Sequence, residues 1–251
     1  MDFTLKTYKS LLQAIKDSGY AFQTFEDFIK NPKEKVVVLR HDVDRLPENA
    51  LRMAELENVL HCKASYYFRI VPFVFNESII CSCVLLKHEV SYHYEDMTIC
   101  KGDIESAYQH FKDKLEIFRK FYPAKTICMH GSPMTKWDNR DIWKKYNYRD
   151  LGIIAEPYFD VDYKKVLYIT DTGRKWNKES VSVRDKVDSG FNISIKSTYD
   201  LMRKFKNNEL PNQIIINTHP HRWFDFGFGW FKELVMQNAK NTIKYFFVKF
   251  Q

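Results

Sequence analysis

Val36-Val37-Val38-Leu39-Arg40-His41-Asp42-Val43-Asp44 reads as a strand buried on both faces that runs into a cluster of ionisable side chains. Its apolar, largely β-branched start suits the interior of a parallel sheet. In an extended chain, residues two apart share a face, so Asp42 and Asp44 point the same way and Val43 points away. Two carboxylates on one face repel unless a cation is bound or one keeps its proton. Capping of a helix opened by Pro47 would account for Asp44 alone. It would not account for two aspartates flanked by Arg40 and His41.

Three more apolar runs end in the same way. Glu89-Val90-Ser91-Tyr92 leads into His93-Tyr94-Glu95-Asp96, Thr126-Ile127-Cys128-Met129 into His130-Gly131, and Ile214 to Thr218 into His219-Pro220-His221. Parallel α/β folds gather their chemistry at the carboxyl ends of strands. Four such tips therefore imply one polar, metal-binding site. His41, His88 and His221 are lesser candidates, and His61 and His110 read as surface residues.

Helical patterns separate these runs. Leu5, Tyr8, Leu11, Leu12 and Ile15 form one face ending at Ser18-Gly19; Pro47 opens a second helix; residues 103–121 carry a third stripe through Ile104, Ala107, Phe111, Leu115 and Phe118. Strands are expected at 64–70, 126–129, 151–155, 166–170 and 214–217, with helices near Trp143, at 198–206 and from about Gly229. Alternation of this kind predicts a parallel sheet with helices outside it. The four tips span the first strand to the last, so they meet only if the sheet curls, which favours a barrel. No repeat, low-complexity tract or linker divides the chain, and 1–251 reads as one domain. The aromatic stretch 245–250 reads as a docked amphipathic helix, with a membrane-contacting or dimerising helix as the alternative.

Composition sets the bounds. Of 251 residues, 45% are hydrophobic, enough for a large core, and only 8 are Gly and 8 Pro, which argues against disorder. The net charge of +7 is spread along the chain without a basic stripe interleaved with aromatics, so nucleic acid is not an expected partner. The five cysteines, Cys62, Cys81, Cys83, Cys100 and Cys128, are odd in number and lie in apolar runs, as reduced core thiols do. The start has no signal-peptide pattern, and the stretch Ile70 to Leu86 is too interrupted to span a membrane. A cytoplasmic location is expected.

With these motifs in order, the chain resembles the polysaccharide deacetylase family, the NodB-homology group, in a divergent branch whose first motif is R-H-D-V-D. Arg40 to Asp44 stands for the first aspartate motif and Ala64 to Phe68 for the second strand. Lys87 to His93 is similar to the G-H-E-I-x-x-H segment, and Thr218-His219-Pro220 to the late L-H-P motif. The resemblance covers about 36–223. It implies a distorted (β/α) barrel of about seven parallel strands holding a divalent metal, zinc above all. On this resemblance Asp44 and His93 are metal ligands, Asp42 is the base acting on water, and His219 is the general acid. Met97 stands where the family has its second histidine ligand. His130 is therefore nominated as the third ligand, with Glu95 as the alternative. Arg40, Tyr92, Asp171 and Trp223 are expected at the substrate. Tyr66, Trp137 and Trp176 are further candidates for stacking on sugar.

The implied activity is metal-dependent removal of an N-acyl group, acetyl above all, from a sugar in surface polysaccharide biosynthesis, with the sugar carried on a nucleotide or a lipid. One alternative is a carbohydrate-binding barrel that lacks a full ligand set. Another is a metal-dependent phosphohydrolase, which would need Arg40, Arg174 or Arg184 at the mouth.

Overall fold

The computed structural model describes residues 1–176, 185 and 187–249, with side chains of the last helix described to Thr242. Seven strands, β1 (Ala21–Gln23), β2 (Val36–Val43), β3 (Ser65–Phe68), β4 (Glu89–Tyr94), β5 (Ile127–Met129), β6 (Leu167–Thr170) and β7 (Gln213–Thr218), form one sheet. Its order is β5-β4-β3-β2-β7-β6, and every pairing is parallel. β1 pairs with the amino-terminal half of β2 (Ala21 opposite Val36), and β3 takes over along the carboxyl-terminal half (Arg40 opposite Ser65). Among the described residues no strand joins β5 to β6, so the sheet is a curled, open half-barrel interleaved with helices. This is a distorted α/β barrel.

The helices are α1 (Leu5–Asp17), α2 (Phe25–Lys30), α3 (Pro47–Val59), α4 (Glu77–Leu85), α5 (Asp96–Ile99), α6 (Ile104–Arg119), α7 (Pro157–Asp160), α8 (Thr198–Lys206) and α9 (Phe228–Lys249). Their ends follow local chemistry. Thr4 caps α1 through the Thr7 N–H, Asp103 caps α6 through the Ser106 N–H, and Gly19, at φ +79°, closes the turn after α1. Short β1 and α2 escape a periodicity reading because neither completes a pattern. The expected strand at 151–155 is reduced to a single bridge between Thr126 and Ala155. The helix expected near Trp143 is a 3-10 turn, Asn139–Lys144. Cys81 and Cys83 lie on helix α4 and not on an extended segment, so Cys83 is buried and Cys81 exposed.

Alternation along β2 sorts its side chains. Val36 and Val38 join Phe25, Tyr67, Cys128, Tyr163, Tyr168 and Ile215 inside the barrel, whereas Val37, Leu39 and Val43 pack under the helices. The same parity sends Arg40 and Asp42 inward and His41 outward. Glu156, which caps α7 through the Tyr158 N–H (2.6 Å) and accepts the Met129 N–H (3.1 Å), is wholly buried. Burial outweighs these donors and the charges of Arg40 and Arg140 and pushes its carboxyl up to about 7. The folded chain thus binds this proton more tightly than the unfolded chain. The stabilisation is complete below the unfolded value of 4.5, declines as pH rises, and is lost above about 7. Between pH 5 and 7.5 the wild type should lose roughly 2 kcal/mol from this group. Glu156→Gln should flatten that slope in urea unfolding at the two pH values, whatever its offset; an unchanged slope would refute the assignment.

Candidate metal centre

Asp44 follows the end of β2, His93 lies near the end of β4, His130 follows β5 and His219 follows β7. Curling of the sheet brings these tips together. The Asp44 carboxylate lies 3.4 Å from His93 Nε2, 3.6 Å from His130 Nε2 and 3.9 Å from His219 Nε2. The side chains of Asp44, His130 and His219 keep 18%, 15% and 10% of their surface exposed, so solvent reaches the cluster. His93 is almost fully enclosed.

Each imidazole is held through its other nitrogen. His93 Nδ1 donates to the Cys128 carbonyl (2.9 Å), His130 Nδ1 to Glu95 (2.9 Å), and His219 Nδ1 to Asp171 (2.7 Å). A carbonyl or a carboxylate can only accept, so these partners place the proton on Nδ1 of His93 and His130 and leave their Nε2 lone pairs aimed at Asp44; His219 Nδ1 lies between the Asp171 carboxylate and the Arg222 Nη1 donor, each at 2.7 Å. This is how histidines are oriented around a metal ion. Asp44 Oδ1 is buried and accepts no hydrogen bond. An orphaned carboxylate oxygen facing the Nε2 atoms of His93 and His130, with His219 Nε2 beside the other oxygen, fits a divalent cation. Burial would raise the Asp44 carboxyl, but the His93 contact and the charges of His130 and His219 override it and hold the group well below the usual carboxylate range. For His93 the burial penalty is outweighed by Asp42 and Asp44, and its imidazole is shifted up.

The supports are themselves built in. Arg69, just past β3, grips Glu95 with two nitrogens (2.9 and 2.8 Å) and the Asp44 carbonyl with the third (3.2 Å). Asp171 accepts the His219 backbone N–H (3.1 Å), Arg222 Nη1 (2.7 Å) and Trp223 Nε1 (2.8 Å) besides the imidazole. Non-glycine residues take left-handed backbone in three of the loops concerned: Leu46 (φ 50°), Ser132 (φ 39°) and Arg174 (φ 55°). They lie two or three residues beyond Asp44, His130 and Asp171. Strain of about 1–3 kcal/mol each is concentrated at the mouth.

One step deeper, Asp42 accepts from Arg40 Nη2 (3.1 Å) and Asn217 Nδ2 (2.9 Å). Arg40 is fully buried and also donates to Tyr168 (2.9 Å), with Asp185 3.9 Å away. Asp42, His93 and Cys128 likewise bring ligand-type atoms within 4.8 Å of one another, a buried cluster able to coordinate a metal ion. Within it, however, both Asp42 oxygens already face donors (Cys128 Sγ is 3.8 Å from Oδ1), and burial pushes the Cys128 thiol well up, away from thiolate.

Several expected contacts fall elsewhere. Glu95, the alternative ligand, has its two oxygens engaged by Arg69 and His130. Arg40 lies inside the barrel, too deep to meet a substrate directly, because it precedes the strand tip. Tyr92 has the parity opposite to His93 and lies under the helices, its hydroxyl on Asp96 (3.1 Å). Trp223 is fully buried behind Asp171, and Tyr66 is buried on Glu57; Trp176 is buried as well. Trp137 remains partly exposed beside Lys136. His110, expected at the surface, bonds Asp96 (2.5 Å). Arg174 lies between the Phe3 and Trp230 rings, and Arg184 falls outside the described residues. Arg69, Asn217, Cys128 and Asp185 were not singled out from sequence. Arg69 carried a usable signal, since it directly follows the run Ser65–Phe68.

No family model, curated protein or solved structure matches the chain. The open parallel barrel and its buried Asp/His/Cys cluster are consistent with a deacetylase-like fold in general and support a metal-dependent enzymatic site. No helix among the described residues is long and apolar enough to cross a membrane.

Proposed function

We propose that this chain is a metal-dependent hydrolase that removes an N-acyl group, acetyl above all, from a sugar. The observation that carries the reading is the convergence of His93 and His130 Nε2 on the unpaired Asp44 Oδ1, with His219 Nε2 facing Oδ2 of the same carboxylate. Asp44, His93 and His130 would hold the ion, and two histidines with one carboxylate and an open position suit zinc. When bound, such an ion polarises the amide carbonyl and lowers the pKa of water.

The chain's own groups flank that position. Asp42, fixed by Arg40 and Asn217, is placed to take a proton from the attacking water. His219 is placed to give a proton from Nε2 to the departing amine, and Asp171 on Nδ1 stabilises the imidazolium that donates it. Five free cysteines, three of them buried, support a reducing cytoplasmic setting. The phosphohydrolase alternative loses support because Arg40 is buried and Arg174 is stacked between aromatic rings.

The test is a panel of N-acetylated sugars, free, nucleotide-linked and lipid-linked, given to protein loaded with zinc. Acetate release that falls about 10²–10⁴-fold in Asp42→Asn is expected. Phosphate release, or binding of a sugar with no turnover, would overturn the reading. Asp171→Asn should reduce turnover through His219 and shift the alkaline limb of the rate profile, while metal content is unchanged.

A further inference from the structure

Over its described side chains, to Thr242, helix α9 is folded inside out. Its buried residues are polar: Glu233, Gln237 and Asn241 lie 3%, 4% and 8% exposed, four residues apart on one face. On the opposite side three apolar residues share an exposed face: Phe228 is 82% exposed, Phe231 60% and Val235 52%. The orientation is fixed by bonds to the loops around the metal centre. Glu233 pairs with Arg45 (3.3 Å), the residue after Asp44, and Asn241 donates to the Gly173 carbonyl (2.9 Å), two residues after Asp171. Gln237 donates in turn to Asn241 (2.8 Å). Rotating the helix would strand these polar groups and Arg45, so the apolar face is held outward by design of the mouth.

That face is extended by exposed Phe73, Phe226 and Leu46, and between them opens an apolar cavity of about 500 Å³ lined by Phe73, Phe224, Phe228 and Met236, with Arg45 and Lys232 at its edge. Among the described side chains of α9, the exposed charge beside this face is the cationic Lys232, which also edges the cavity. Its acidic groups are accounted for: Glu233 is buried on Arg45, and Asp225 is paired with Arg52. Exposed aromatic side chains beside a lysine, with no unpaired carboxylate among them, suit a helix lying in an anionic lipid headgroup layer. A two-fold contact with a second copy would instead set Lys232 near its own equivalent without a carboxylate to meet it.

We propose that α9, with Phe73 and Phe226, docks the chain on an anionic membrane surface and so presents the metal centre to a substrate anchored in that membrane. The docking face shares no side chain with the metal centre, so it stands or falls apart from the proposed chemistry.

The test is co-sedimentation of the full chain with vesicles of phosphatidylcholine, alone or mixed with phosphatidylglycerol. Wild type should partition onto the mixed vesicles, less so in high salt. Phe231→Ser combined with Val235→Ser, both exposed positions, should lower the partition coefficient roughly tenfold or more. Lys232→Glu should weaken binding to the anionic vesicles selectively, and Asp44→Asn should bind as wild type does. Failure of wild type to bind either vesicle overturns the proposal. So does a dimer that the Phe231/Val235 variant dissociates without any change in vesicle binding.

Discussion

Asp44→Asn should cost the protein its metal while leaving its fold intact. A ligand contributes more than the groups that merely orient ligands, whose loss already weakens binding about 10–100-fold. Affinity for zinc should therefore fall about 100-fold or more, read by competition against a chromophoric chelator, and turnover should fall with it. Three companions make the result diagnostic. Asp42→Asn should keep the metal and lose turnover, because Asp42 already faces Arg40, Asn217 and the Cys128 thiol. Cys128→Ser should also keep the metal, because its thiol is held protonated by burial. His130→Ala should weaken metal binding as Asp44→Asn does. If Cys128→Ser and Asp42→Asn lose the ion and His130→Ala does not, the metal belongs to the deeper Asp42, His93 and Cys128 cluster.

The tips were legible because burial imposes a strong rule: an apolar strand has no use for a charged end unless the end has a partner. That rule located Asp42, Asp44, His93, His130 and His219, which the fold brings to one mouth. It could not assign depth. Arg40 shares the parity of Asp42 but sits two residues lower, and that offset places it in the barrel interior. Parity also decides against Tyr92, since neighbours on a strand face opposite layers and His93 takes the inward one. Cys128 became visible only as the register partner of His93, and cross-strand register is not written in one strand's own pattern. The role of Asp171 was half legible. It follows an apolar run, as the other tips do, but its buried bond to His219 comes from the adjacency of β6 and β7. Helix α9 was legible as a helix from about Gly229 but its orientation was not: over the described side chains its polar stripe is the buried one, and the docked stretch expected at 245–250 lies outside the described side chains.

The outward face of β2 supports the second large expectation. Glu57, on α3, is fully buried and receives Tyr8 Oη (2.5 Å), Tyr66 Oη (2.7 Å) and His41 Nε2 (2.8 Å), with His88 Nδ1 at 3.7 Å. Burial would raise its carboxyl, but the charge and hydrogen bond of His41, with His88 and Tyr8, override that and leave it below the ordinary value. The carboxylate's contribution is thus present above the unfolded value of 4.5 and is lost as pH falls through the lower folded one. Glu57→Leu keeps the volume but strands two tyrosine hydroxyls and an imidazole in the core. Breaking a buried charged network in this way costs about 3–5 kcal/mol. In a chain of this size that is a fall of roughly 10 °C in Tm. The damage should also reach the site. His41 lies between Arg40 and Asp42, and its Nδ1 meets Thr218 Oγ1 (2.6 Å), the residue before His219. The Glu57 cluster thereby ties together the two strand ends that carry the proposed base and acid. Glu57→Gln, which keeps an acceptor, should recover part of the stability and of the turnover together; recovery of stability without turnover would show that the cluster supports the core alone.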